Sequence, residues 1–247
     1  VARQSARDIR IYWDEFKYDG YLNAFGAGIT QGLPVTTAFS NDGPRVIPAN
    51  YDYTVNFGGF SDYVDNDIDE QLQTDFGDNT DHYLAGCPLI TSGIPTENTI
   101  GYEYVVQRAS RPQSFAVGGA AGFSATAQGS AQATRATVLR SATVTGTGNG
   151  TGRNMGVTTS GQIFAVVFRV ISGTFSAITI VVQESSDDAA ADAYVAIAGL
   201  TSGSLSAAGV VRVTTTAATE AWKRVSVTAF TGTDAVILVT AGVVAGI

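Results

Sequence analysis

Between residues 163 and 198 the chain reads IFAVVFRVISGTFSAITIVVQESSDDAAADAYVAIA, an apolar run followed by a segment that alternates with period two. That period fits a strand and excludes an amphipathic helix. Ile178, Ile180 and Val182 alternate with Thr179, Val181 and Gln183. Ser172-Gly173 interrupts the run, and Ser185-Ser186-Asp187-Asp188 ends it with residues that bond their own backbone in turns. The pattern predicts strand, Ser-Gly turn, strand, acidic turn, strand, with no catalytic group among them.

The same texture continues over the second half. Strand-like runs fall at 138–145, 163–171, 175–184, 193–198, 208–216, 222–230 and 235–241, separated by Gly, Ser, Thr and Asp. Short strands at this spacing predict a β-sandwich. The glycine-rich run 146–152 between the first two is expected to be a flexible loop. Composition agrees: 247 residues, 45% of them hydrophobic, can bury a sizeable core, and 28 Gly beside only 6 Pro suit strands joined by tight turns.

The first half is less regular. Ile9 to Trp13, the alternating run Tyr51 to Phe57 closed by Gly58-Gly59, and the runs 100–108 and 135–144 read as strands. One helix is expected near 62–76, where Val64, Ile68 and Leu72 share a stripe and Asp65 or Asp67 caps the first turn. A stretch with breakers Pro34, Asn41, Asp42, Pro44 and Pro48 spans 32–50, and a connection of that length is usually functional. The segment 116–136, rich in small residues, fits either close-packed strands or a linker.

Charge divides the chain. Residues 1–138 hold 16 acidic and 8 basic side chains and residues 139–247 hold 6 of each, so the formal charge of -8 belongs to the first part. Two domains are expected with that boundary, 1–138 and 139–247. An acidic first part disfavours direct nucleic-acid binding, which draws on Lys and Arg.

No residue pattern assembles a catalytic or metal site. Cys87 is the single cysteine, which excludes an internal disulfide and a multi-cysteine zinc site. Eight carboxylates crowd 62–81, and a calcium loop starting at Asp65 would need Gly and Glu where Glu70 and Phe76 stand. A solvated acidic face is the simpler account. His82 is the sole histidine, and the nearest approach to G-x-S-x-G is Gly122-Phe-Ser124-Ala-Thr126. The 146–152 glycines fit neither a dinucleotide fingerprint nor a P-loop. A carboxylate pair for glycoside cleavage or an aromatic sugar platform, with Trp13 and Trp222 among its candidates, stays open as a minor reading. No stretch reaches the ~18 apolar residues of a membrane helix and no apolar leader core precedes a cleavage site. A soluble protein folded in the cytoplasm, without cofactor or membrane, is therefore expected.

Several segments together resemble the tail tube (major tail) proteins of long-tailed bacteriophages: 16–29, 39–62 with 68–78, 138–170, 179–201 and 222–243. The likeness lies in segment order and texture over most of the chain. It implies a mainly β chain, a tail-tube-type β-sandwich with one flanking helix, followed by a C-terminal β-sandwich domain. It also implies a virion structural protein and no enzyme: a homo-oligomer in stacked (pseudo)hexameric rings, assembled in the host cytoplasm. Its expected partners are tape-measure and tail terminator or tip proteins, with viral DNA only in transit. The long loop with Pro34, Asn41, Asp42, Pro44 and Pro48 is then expected between subunits. Asp8, Asp14, Glu15, Asp52, Glu97 and Glu103 are candidates for an acidic lumen that repels phosphate. A capsid decoration or other virion β protein, and a phage carbohydrate-binding module, are the alternatives.

Overall fold

A computed structural model describes residues 9–18, 22–31, 35–36, 45–46, 51–60, 70, 73–74, 80–88, 94–110, 113–114 and 122–244. Its strands begin with β1 (Ile9–Trp13), β2 (Phe16–Lys17), β3 (Leu22–Gln31), β4 (Val35–Thr36), β5 (Arg45–Val46) and β6 (Tyr51–Phe60). Next come β7 (His82–Pro88), β8 (Ile100–Ser110), β9 (Gln113–Ser114), β10 (Gly122–Gly129) and β11 (Thr134–Val144). The last are β12 (Gly148–Asn149), β13 (Arg153–Asn154), β14 (Phe164–Ser185), β15 (Val195–Leu205), β16 (Gly209–Thr215) and β17 (Trp222–Val243). The chain is mainly β, as expected, and the strand pairs are antiparallel.

It divides into two compact units, but not at residue 138. Residues 1–19, 83–104 and 133–246 form one unit, and 20–82 with 105–132 form the other. Pairing explains the difference. β1 pairs with β7, and β8 opens by pairing with β11, Glu103 opposite Thr134 and Ile100 opposite Thr137. Strands from the acidic first half thus complete the sheet of the neutral second half, and charge does not mark the structural boundary.

The first unit is organised by a ribbon of two long strands, β14 and β17, paired from Phe164 opposite Val243 to Ser185 opposite Trp222. The Ser-Gly turn expected at 172–173 and the break expected between 230 and 235 are not turns: both strands run through them. Register shifts at 170–172 and 174–177 mark a corner instead, since bulges bend a paired strand. Gly173 (φ 142°) stands opposite Ala235 there, and Gly232 (φ 155°) opposite Phe175. A Cβ on Gly173 would lie 2.4 Å from Asp234 O, and one on Gly232 2.5 Å from Phe175 Cα. The corner exists because neither residue has a side chain.

Beyond it, the ribbon's two halves bury side chains in one core. Phe164, Val166, Phe168 and Val170 precede the corner and Ile178, Ile180 and Val182 follow it, and all join Val225, Val227, Ile237 and Val239. One ribbon bent onto itself therefore makes the sandwich expected for the second half. β16 and β11 flank its first half, and β15 with the short β12 and β13 flank its second. The 146–152 run is in part paired backbone, since Gly148 and Asn149 stand opposite Val227 and Ser226 and Gly150 N donates to Val225 O. The opposite face of the first half is covered too: Tyr12, Ala85 and Cys87 from β1 and β7 pack on Val138 and Leu238.

In the second unit β3, β6 and β10 pair in sequence and β10 pairs with the end of β8. Phe57 and Phe123 meet edge to face at 6.3 Å. Tyr53 Oη donates to Val105 O at 2.5 Å and accepts from Val105 N at 2.8 Å. Of the helix expected at 62–76, Glu70, Gln73 and Thr74 are described and are helical, with Thr74 Oγ1 donating to Glu70 O at 2.9 Å; the rest lies outside the described residues. Pro34, Asn41, Asp42, Pro44 and Pro48 also lie outside them, while the same stretch contributes the β4–β5 pair.

Candidate functional site

The most concentrated polar group is buried. Arg169 points away from the sandwich core, because its neighbours Phe168 and Val170 point into it and strand side chains alternate. Its guanidinium makes a two-pronged contact with Glu103, Nη1 to Oε1 at 2.6 Å and Nη2 to Oε2 at 2.7 Å. Nε donates to Asp14 O and Nη2 to Tyr83 O, both at 2.9 Å. Thr240 Oγ1 donates to Glu103 Oε1 at 2.5 Å. Burial alone would lower the arginine's pKa, but the charge and hydrogen bonds of Glu103 outweigh it and the net shift is upward. With both charges paired and the remaining bonds going to backbone and a hydroxyl, the cluster has nothing left to offer a substrate. It is a fastener, joining the β1–β2 turn, β7, β8, β14 and β17.

This corrects one expectation directly. Glu103, a candidate lumen acid, is 4% exposed and neutralised by Arg169, so its charge cannot face a channel. Glu97 is also engaged, accepting from Arg153 Nη2 at 3.1 Å and from Ser141 N at 3.3 Å. Asp14, at a positive φ of 52° in the β1–β2 turn, accepts from Tyr83 N at 2.7 Å. Glu15 is half-buried in the same turn. Asp8 lies outside the described residues, as does the side chain of Asp52 on β6. Sequence reasoning missed the Arg169 fastener, although an arginine inside the apolar run IFAVVFRVI was the signal for it.

A second polar group closes the far end of the ribbon. In the turn after β14, Asp187 accepts from the backbone of Ala191 at 2.7 Å and Asp192 at 3.1 Å, and Asp192 accepts from Ser186 N at 2.8 Å. The Asp192 backbone contact holds the Asp187 carboxyl below the usual aspartate range, with Ala191 and Ser185 adding to it. Asp192 is lowered likewise, by Ser186 first and then Glu220. Glu220 is raised, first by its hydrogen bond with Asp192 and further by burial and by the charges of Asp192 and Glu184. Buried Lys223 donates to Gly156 O at 3.2 Å and lies 5.5 Å above the Phe164 ring. Burial lowers its pKa, opposed by Glu184 and Glu220. Arg224 pairs across the sheet with Gln183 at 2.7 Å and covers the Tyr194 ring at 4.1 Å.

The groups weighed for catalysis do not converge. His82 is buried with Nε2 3.5 Å from Thr80 Oγ1. Ser124 sits inside β10 and not on a strand-to-helix turn. Cys87 is buried, and burial, with the charge of Glu103, pushes its thiol up to about 12. Among the described residues no three His, Cys, Asp or Glu side chains gather as a metal site, and no helix is long and apolar enough to cross a membrane.

What the described residues define is a mainly β protein whose first unit is built on one bent antiparallel ribbon. No family model matches the chain, and no curated protein does. Among solved structures it is similar to a chain of the virion of a native gene transfer agent particle, at 12% identity and a TM-score of 0.41, over 53% of this chain and 97% of that one. A chain from the tail of an empty gene transfer agent particle, solved with C6 symmetry, gives 12% and 0.40 over 54% and 98%. The SPP1 Dit (gp 19.1) protein, described as a paradigm of the hub adsorption apparatus in phages infecting Gram-positive hosts, gives 10% and 0.35 over 96% and 99%. Likenesses this distant assign no function.

Proposed function

We propose that the chain is a virion structural protein, a tail tube subunit that assembles with its own copies into stacked (pseudo)hexameric rings and performs no catalysis. One observation carries this reading. The sequence segments that resemble tail tube proteins in the second half, 138–170, 179–201 and 222–243, are the strands that build the bent sandwich, β11, β14, β15 and β17. The resemblance therefore coincides with scaffold, and the buried Arg169–Glu103 ion pair serves that scaffold. In this role the subunit sits in the virion tail after assembly in the host cytoplasm, meets tape-measure and terminator or tip proteins, and passes DNA without holding it.

An acidic lumen remains part of the proposal, now without Glu103 and with Glu15, Asp8 and Asp52 as its first candidates. Phosphate would be repelled by such a wall and attracted to a lysine-substituted one. Lysine at these three positions is expected to leave tubes that assemble but eject DNA slowly; normal ejection would remove the electrostatic part. The reading itself is tested by electron microscopy of the purified chain. Tubes or stacked rings support it, discrete trimers or monomers point to a decoration protein, and monomers that bind polysaccharide point to a carbohydrate-binding module.

A further inference from the structure

One sheet face of the first unit is covered on one side only. The folded-back half of the ribbon covers Phe164, Val166 and Phe168 of β14 and Ile237, Val239 and Ala241 of β17. Register carries that face outward over β11 to β8. Phe164 stands opposite Val243, Ala241 opposite Thr137, Thr137 opposite Ile100, and Arg135 opposite Tyr102. Directly opposed side chains share a face. On this outer part Val243 is 37% exposed, Ile100 41% and Tyr102 45%. The Tyr102 ring is held by stacking on buried Tyr104, with centroids 6.4 Å apart. Arg135 is exposed and in no ion pair among the described residues. Apolar side chains that continue a core into solvent around a single cation have the make-up of an interface.

We propose that this strip, Ile100, Tyr102 and Val243 around Arg135, receives the acid-rich segment 62–81 of a second copy of the chain. Charge selects the occupant. The strip is cationic on a chain of formal charge -8, and eight of the chain's carboxylates fall in 62–81 without a Lys or Arg among them. Two different surfaces then meet, so the contact runs head to tail, the kind that closes into rings. The inference rests on the ring-forming reading above.

Sedimentation and electron microscopy of the full chain test it, with circular dichroism to verify folding. Arg135→Glu and Tyr102→Glu are each expected to raise the concentration needed for assembly by about tenfold or more. Thr233→Glu, exposed at the corner of the ribbon and far along β17 from Val243, is expected to leave it unchanged. Lysine at Asp65, Asp67, Asp69 and Glu70 should impair assembly equally, and combining it with Arg135→Glu should restore it. Normal assembly of the folded Arg135→Glu and Tyr102→Glu chains, or no restoration in the combined variant, overturns the proposal. A wild-type chain that never forms rings overturns the ring reading; rings that form equally well in every variant overturn this inference alone.

Discussion

Arg169 is completely buried, and a buried ion pair contributes to stability only through the precision of its bonds. Removing two charges from water costs several kcal/mol, which mutual attraction and hydrogen bonds must offset. The cost of breaking the pair is therefore asymmetric. Arg169→Ala is expected to lose about 3–5 kcal/mol, because Glu103 would be left buried and uncompensated. Arg169→Met with Glu103→Leu should lose less than Arg169→Ala, and urea unfolding of the variants measures the difference. An equal or greater loss in the double variant would mean that the carbonyls of Asp14 and Tyr83 depend on the arginine more than Glu103 does. The half-buried carboxylates after β14 behave differently. Asp187 and Asp192 have depressed pKa values, so the stabilisation they give the turn is present above the usual aspartate value and is lost as pH falls through their folded ones. Glu220, shifted upward, contributes with the opposite sign: its share is present at acid pH and is lost as pH rises through its folded value. Amide shifts of Ser186, Ala191 and Asp192 should consequently move together below about pH 4, and shifts that stay fixed down to about pH 2 would show that the carboxylates do not hold the turn.

At the scale of the element, the ribbon explains both what was legible in the sequence and what was not. Period-two alternation located Ile9–Trp13 and most of β6, β8, β11, β14 and β17, because burial of alternate side chains leaves its mark in the order of residues. It could not tell a hairpin from a corner. Ser172-Gly173 and Gly232-Thr233-Asp234 are the residues a tight turn uses, and they are equally what two strands need to bend together at close approach. Only the pairing of β14 with β17 on both sides of the corner separates the two cases. β7 was missed, since HYLAGCP has no clean alternation, and Leu84 and Ala85 are both buried. The corner makes a quantitative demand. Gly173→Ala or Gly232→Ala places a Cβ within 2.6 Å of backbone atoms at a φ that side chains rarely adopt, and each should cost more than about 2 kcal/mol. Gly146→Ala meets nothing within 4 Å and should stay within about 0.5 kcal/mol. Thermal melts that shift equally for all three would show that the corner tolerates side chains.

For the whole molecule, the charge boundary at 138 and the structural division disagree, and the difference can be measured. A fragment ending at residue 138 keeps all the segments of the second unit but leaves β1, β7 and the start of β8 without β14 and β17. Cys87 reports on this. In the full chain it is buried against Tyr12, Val138 and Leu238, and its raised pKa leaves almost no thiolate near neutral pH. A thiol reagent should therefore label the fragment quickly and the full chain only after unfolding; protection in both would restore the boundary at 138. Sequence reasoning missed the division because pairing between residues far apart leaves no local trace. That same distance also orders events during synthesis. Tyr12 leaves the ribosome well before Leu238, which packs beside it and is made more than two hundred positions later. At translation rates of about 5–20 residues per second this delay is on the order of ten seconds or more. β1 is thus buried long after it is made, and until β17 emerges the nascent chain carries an apolar surface that the residues already synthesised do not cover.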